Sequence, residues 1–315
     1  MHVARVVLIL MAVGLVVACL LPRARWARRH PVTAIAGWQM VQGAVLLGML
    51  WLPLLVLAPG IGSEATLREF VIGCVHGLRA AVSQPGELVV ASVAVVVLLG
   101  ATGRLLGVLF TIARNQQRER RTARAAIDLV GADDLRGVRV VPSQSIGAYC
   151  LPGRRPFVVV TSAAKEQLSD DELAAVLAHE RAHLRWRHHL VLFGSRVLAT
   201  AFPFVPAFVV AERECRLLVE MAADDQAARV VGARPVATAL LRSALSSASQ
   251  PSAALGLARR AVRERVERLD DDARADRSRA RVLWVPLLIP VVAGTTVISH
   301  GLTEWFTVLS SCVGF

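Results

Sequence analysis

A chain of 315 residues, 55% hydrophobic with mean hydropathy +0.52, is too apolar for an ordinary soluble domain and describes a membrane protein with one modest aqueous part. The net charge of +12 is carried by arginine, Lys165 being the only lysine. Beside apolar spans such charge sets orientation and touches anionic lipid, so direct nucleic-acid binding is not expected. Cys19, Cys74, Cys150, Cys215 and Cys312 form no CxxC pair and point to neither a disulfide framework nor a cysteine metal site.

Residues 3–21 are apolar over about 28 Å of helix, enough to cross a bilayer. Only Arg5 precedes most of this run, whereas Arg23, Arg25, Arg28 and Arg29 follow it, which predicts a retained span with its N-terminus outside. Residues 32–58 form the second span. The loop 59–87 has no arginine excess and suits the outer side; within it, residues 67–82 read as an interfacial helix, with His76 packed or solvated there. Residues 88–113 form the third span, in which Arg104 is expected to snorkel to the headgroups. Arg114, Arg118, Arg120, Arg121 and Arg124 follow directly, placing residues 114–281 in the cytoplasm.

That region opens with short strands at 138–141, 148–151 and 157–161, the last (FVVVT) rich in β-branched residues and preceded by a Pro152-Gly153 turn. The Phe157 strand is expected to offer an edge for an extended peptide, and Tyr149 to lie in strand core. Ser169 and Glu172 form a capping box, with Asp170 and Asp171 at the positive end of the helix dipole, so a helix runs through His179-Glu180-Arg181-Ala182-His183. Residues 191–210 are apolar but interrupted by Arg196, Pro203 and Pro206. A crossing here would move all later residues to the other side, so a buried or membrane-grazing helix and a turn are expected. Residues 211–231 read as a helix ending at Gly232, with Pro235 opening another. Residues 254–281, rich in arginine, read as a solvated helix leading to a fourth span at 282–301 and a short outer tail to residue 315.

Two histidines four apart share one helix face, so His179 and His183 can converge on one metal ion while Glu180 lies beside it as a general base. A third ligand should come from a separate helix. Glu220 is the leading choice, with Asp224 one turn on to hydrogen-bond a ligand imidazole, and Ala222 and Ala223 permitting close helix approach. Glu214, Glu212 and His188 remain alternatives. His188 and His189 are expected at the end of the first helix, near its terminal carbonyls. Two imidazoles and a carboxylate suit one zinc ion, and that site would support hydrolysis of a peptide bond. The residue that stabilises the oxyanion is not identified; Tyr149 is a weak candidate.

The segments AYCLPGRRPFVVVTSAAKEQLSDDELAAVLAHERAHLRWRH, AFPFVPAF and EMAAD resemble the BlaR/MecR-type integral membrane metallopeptidases, and more distantly the HtpX-like and CAAX prenyl proteases, over about residues 140–230. By this resemblance His179, His183 and Glu220 are metal ligands, Glu180 is the catalytic base, and Asp224 is the aspartate of an ExxxD motif. The family layout implies three spans before a cytoplasmic protease domain and one after. It implies a protein substrate, a cytoplasmic DNA-binding repressor. The penicillin-binding domain of the antibiotic sensors has no counterpart, so direct β-lactam sensing is not expected, and the family's Asn-Pro turn is replaced by Phe204-Val205-Pro206. The expected fold is therefore a membrane α-helical protein with four transmembrane helices and a cytoplasmic α+β zincin-like domain. Competing readings are an HtpX-like quality-control protease, a non-catalytic membrane scaffold, and lipid or nucleic-acid binding by the arginine-rich helices.

Overall fold

A computed structural model describes residues 20–57, 85–130, 138–247 and 262–270, with separate positions at 16, 18, 72, 73, 75–77 and 79. Contacts divide the chain into two units, one of residues 1–11, 45–103 and 277–315, the other of residues 12–44 and 104–276. Most of the first span expected at 3–21, and all of the fourth at 282–301, lie outside the described residues.

Among the described residues, two helices are long and apolar enough to cross a membrane, one within Pro31–Leu50 and one within Gly86–Val130. They belong to α2 (Pro31–Leu57), which follows the short α1 (Arg25–Arg29), and to α3 (Pro85–Val130). In the first unit, Val89, Val90, Val93, Val96, Val97 and Leu99 of α3 are exposed, the pattern of a helix with apolar surroundings on its outside. Between them, positions 72–73, 75–77 and 79 are helical and His76 is exposed.

α3 does not stop near residue 113. At 46 residues it runs about 69 Å, because residues 114–130 change from apolar to charged without a glycine or proline. The hydropathy ends there, but the helix does not.

The second unit holds a three-stranded sheet of β1 (Val138–Val141), β2 (Ala148–Leu151) and β3 (Phe157–Thr161) in the order β1-β3-β2. β3 is parallel to β1 and antiparallel to β2, with Tyr149 opposite Val159. It is therefore the central strand, and the expected edge pairing on the Phe157 strand is wrong. The run FVVVT is almost wholly buried, which is what an apolar strand covered on both faces should be. Alternate residues serve opposite faces. Val158 and Val160 pack with Ile146 and Leu168 and against Leu173, Val176, Leu177 and Leu184, while Val159 and Leu151 pack against Ile127 of α3. Arg124 of α3 also donates to the carbonyls of Pro152 and Arg155, and an added Cβ at Gly153 would lie 2.5 Å from its Nη2.

The helices follow: α4 (Ser162–Gln167), α5 (Asp170–Arg185), α6 (His188–Ala201), α7 (Pro206–Val231), α8 (Ala233–Ser247) and α9 (262–270). The capping box at the start of α5 is complete, Ser169 Oγ accepting from Glu172 N and Glu172 accepting from Ser169 N. α7 begins at Pro206, five residues earlier than expected, proline being well suited to a first helical turn. Its end at Gly232, with φ +92°, is the expected one. Arg104 reaches the carbonyls of Ala201 and Thr200 at the end of α6, so its charge meets helix carbonyls instead of the headgroups expected from sequence.

Two further expectations fail here. The arginine-rich 262–270 segment is not a solvated helix: Leu269 packs with Ala175, Ala227 and Val236, and Arg265 and Arg268 are buried. Tyr149 is 42% exposed and is no part of the strand core, because β2 lies at one edge of the sheet.

Candidate metal centre

α5 and α7 build the centre. Ala175 on α5 and Ala222, Ala223 and Ala227 on α7 are buried at or near their packing surface, so the two backbones meet over small side chains. His179 and His183 are one turn apart on α5, and Glu220 and Asp224 one turn apart on α7. The Nε2 atoms of the two histidines lie 3.0 Å apart. Glu220 closes the group, with Oε2 3.5 Å from His179 Nε2 and Oε1 3.6 Å from His183 Nε2.

These separations test whether a metal fits. Donors around a tetrahedral zinc, at bonds of about 2.0–2.2 Å, lie roughly 3.3–3.5 Å from one another. The three donor atoms fall within 4.8 Å of one another, which is consistent with a single cation between them. The histidine side chains are 14% exposed and that of Glu220 is 38% exposed, so the group opens towards solvent on the glutamate side. A position left for water is what separates a catalytic zinc site from a structural one.

Each imidazole has a partner behind it. His179 Nδ1 lies 3.0 Å from Asp224 Oδ1, although no well-aligned hydrogen bond joins them, and His183 Nδ1 lies 3.0 Å from His188 Nδ1. His188 reaches that position because α5 ends at Arg185. Arg187 takes a left-handed conformation (φ +50°), and α6 starts afresh at His188. The expectation that His188 lies at the end of the first helix is therefore overturned. Nor does it sit among terminal carbonyls: it opens α6, is buried, and burial lowers its pKa to about 4, leaving it neutral.

Burial alone would lower His179 too, but its carboxylate neighbours Asp224 and Glu220 outweigh it and raise the pKa to about 9. A cation at Nε2 must displace that proton. Burial takes His183 down to about 4. Burial opposes ionisation of Glu220 and Asp224, yet pairing with His179 and Arg265 holds both at about 2. Glu180 differs. Burial raises its carboxyl above the usual range, with the charge of His179 pulling the other way. Interaction with Cys150 on β2 favours its charged form, while burial and the Glu180 charge push the Cys150 thiol up to about 12.

The other carboxylates considered from sequence are engaged elsewhere. Glu214 pairs with Arg28 at 3.0 Å and Glu212 with Arg216. Cys150 and Arg265 were not assigned to the centre from sequence, and His188, an alternative third ligand there, instead backs His183. Arg265 donates Nε and Nη2 to the two oxygens of Asp224 at 2.7 and 2.8 Å, and Nη1 approaches Glu220 Oε2 at 3.2 Å. Its sequence context carries no signal, being one arginine among many. His188 was hidden by a turn that has neither glycine nor proline.

Two imidazoles, a carboxylate and a neighbouring glutamate of raised pKa are the parts of a metallopeptidase centre. Residues 112–265 match the model of peptidase family M48. The M48 match starts within α3, includes every residue named at the centre, and ends on Arg265. A stretch of 71 residues is 38% identical to the plastoglobule-localized metallopeptidase 48, chloroplastic, of Arabidopsis thaliana. That stretch is 22% of this chain, which covers only 21% of the relative's length. No solved structure matches the chain significantly.

Proposed function

We propose that the protein is a membrane-embedded, zinc-dependent endopeptidase of the M48 kind. The convergence of His179, His183 and Glu220 beside Glu180 carries the reading, and the M48 match supports it. Zinc, when bound, supplies Lewis-acid polarisation of a carbonyl and acidifies a water. Glu180 takes the proton of the attacking water and passes it to the leaving amine, its raised pKa bringing it nearer the working pH of a general base. Asp224 and His188, each 3.0 Å from the Nδ1 of one imidazole, would orient the two rings so that Nε2 is free to bind the metal.

β2 takes over the role first expected of β3. Among the described residues it pairs only with β3, and its Cys150 interacts electrostatically with Glu180. An extended peptide adding to its outer edge would lie alongside the catalytic glutamate. The arginine-rich half of α3 supports a cytoplasmic position for this unit. With the BlaR/MecR-type resemblance, it supports regulated cleavage of a cytoplasmic repressor. The test is proteolysis of an unfolded reporter protein by the full chain in detergent. A zinc chelator should abolish cleavage and added zinc restore it. Cleavage that survives thorough chelation would refute the zinc mechanism.

A further inference from the structure

The arginine-rich helix α9 reaches the metal centre from outside the two helices that form it. Arg265 is buried, 9% exposed, and so is Asp224, fully enclosed at 0%. An enclosed carboxylate without a counter-charge is costly, and Asp224 has two partners. Oδ1 faces His179 Nδ1 at 3.0 Å, while both oxygens receive the Arg265 fork at 2.7 and 2.8 Å. The remaining guanidinium nitrogen lies 3.2 Å from Glu220 Oε2. One rigid planar group therefore sets the spacing between the carboxylate that backs His179 and the carboxylate that joins the histidines.

α9 is also fixed on both sides of this residue. Glu264 meets Arg28 at 3.2 Å, Arg268 donates to the Met221 carbonyl at 2.9 Å and pairs with Asp225, and Leu269 is buried against α5, α7 and α8. Arg265 is thus held in place by its own helix and does not merely rest on the site.

We propose that Arg265 is the positioning residue of the metal centre, its guanidinium holding Asp224 against His179 and Glu220 in ligand geometry. This rests on the zinc-centre reading above. Arg265 contacts neither the reacting atoms nor the cation, so its effect passes through Glu220 and Asp224. Lysine cannot replace it fully, since a point charge cannot bridge both carboxylates with a fixed fork.

The test is zinc affinity of the full chain in detergent, by competition with a chromogenic chelator, for the native protein, Arg265→Gln, Arg265→Lys and Arg268→Gln. Outer partners of metal ligands change affinity by roughly 10–100-fold, which is the weakening expected for Arg265→Gln, with Arg265→Lys in between. Arg268→Gln should lower the melting temperature while leaving affinity within about twofold, as the Met221 carbonyl and Asp225 that it binds are not metal donors. Native affinity in Arg265→Gln would overturn the proposal, as would equal weakening in Arg265→Gln and Arg268→Gln. If Arg265→Gln does not fold, Arg265→Lys decides, and native affinity there overturns it. A native protein that binds no zinc would instead refute the metal-centre reading, and this inference with it.

Discussion

His188 shows how a single backbone angle can decide a site. Five residues beyond His183 on a continuous helix it would face away. With Arg187 at φ +50° the first helix is broken, and the Nδ1 of His188 comes 3.0 Å from that of His183. Replacing it by alanine should speed zinc release about 10-fold, read by stopped-flow chelation, because His183 then loses the partner that fixes its ring. An unchanged release rate would mean that His183 is oriented by α5 alone. The pairing of His179 with His183 and of Glu220 with Asp224 was legible from sequence, because helical spacing alone puts each pair on one face. His188, Cys150 and Arg265 were not, because their positions depend on a turn, a strand register and a helix docking that no local pattern encodes.

Elements were read best where propensity and punctuation agree. Strands β1, β2 and β3 and the start of α5 were legible from β-branched runs, the Pro152-Gly153 turn and the Ser169–Glu172 box. Strand order was not, since β1-β3-β2 depends on long-range pairing. Val159→Pro should therefore unfold the second unit outright, seen as loss of the cooperative thermal transition, whereas an edge strand would tolerate it. Ser169→Ala removes one cap hydrogen bond and should cost about 1 kcal/mol in a denaturant titration. No measurable loss would show that Glu172 is held sufficiently by its ion pair with Arg242.

For the molecule as a whole, α3 is the continuous element, apolar at one end and charged at the other, where Ile127 and Arg124 support the sheet. Hydropathy made the apolar half legible. It could not show that the charged half covers the second face of the sheet, because that burial rests on isolated residues such as Ile127. If the second unit is cytoplasmic, Glu180→Gln protein in native membranes should retain its substrate. Co-purification of one DNA-binding repressor supports regulated proteolysis, and a broad set of misfolded membrane proteins supports quality control. The most direct measurement pairs zinc content with cleavage for the native protein and Glu180→Ala. The account predicts one zinc per chain in both and cleavage only by the native protein; a zinc-free native protein, or cleavage undiminished in Glu180→Ala, would contradict it.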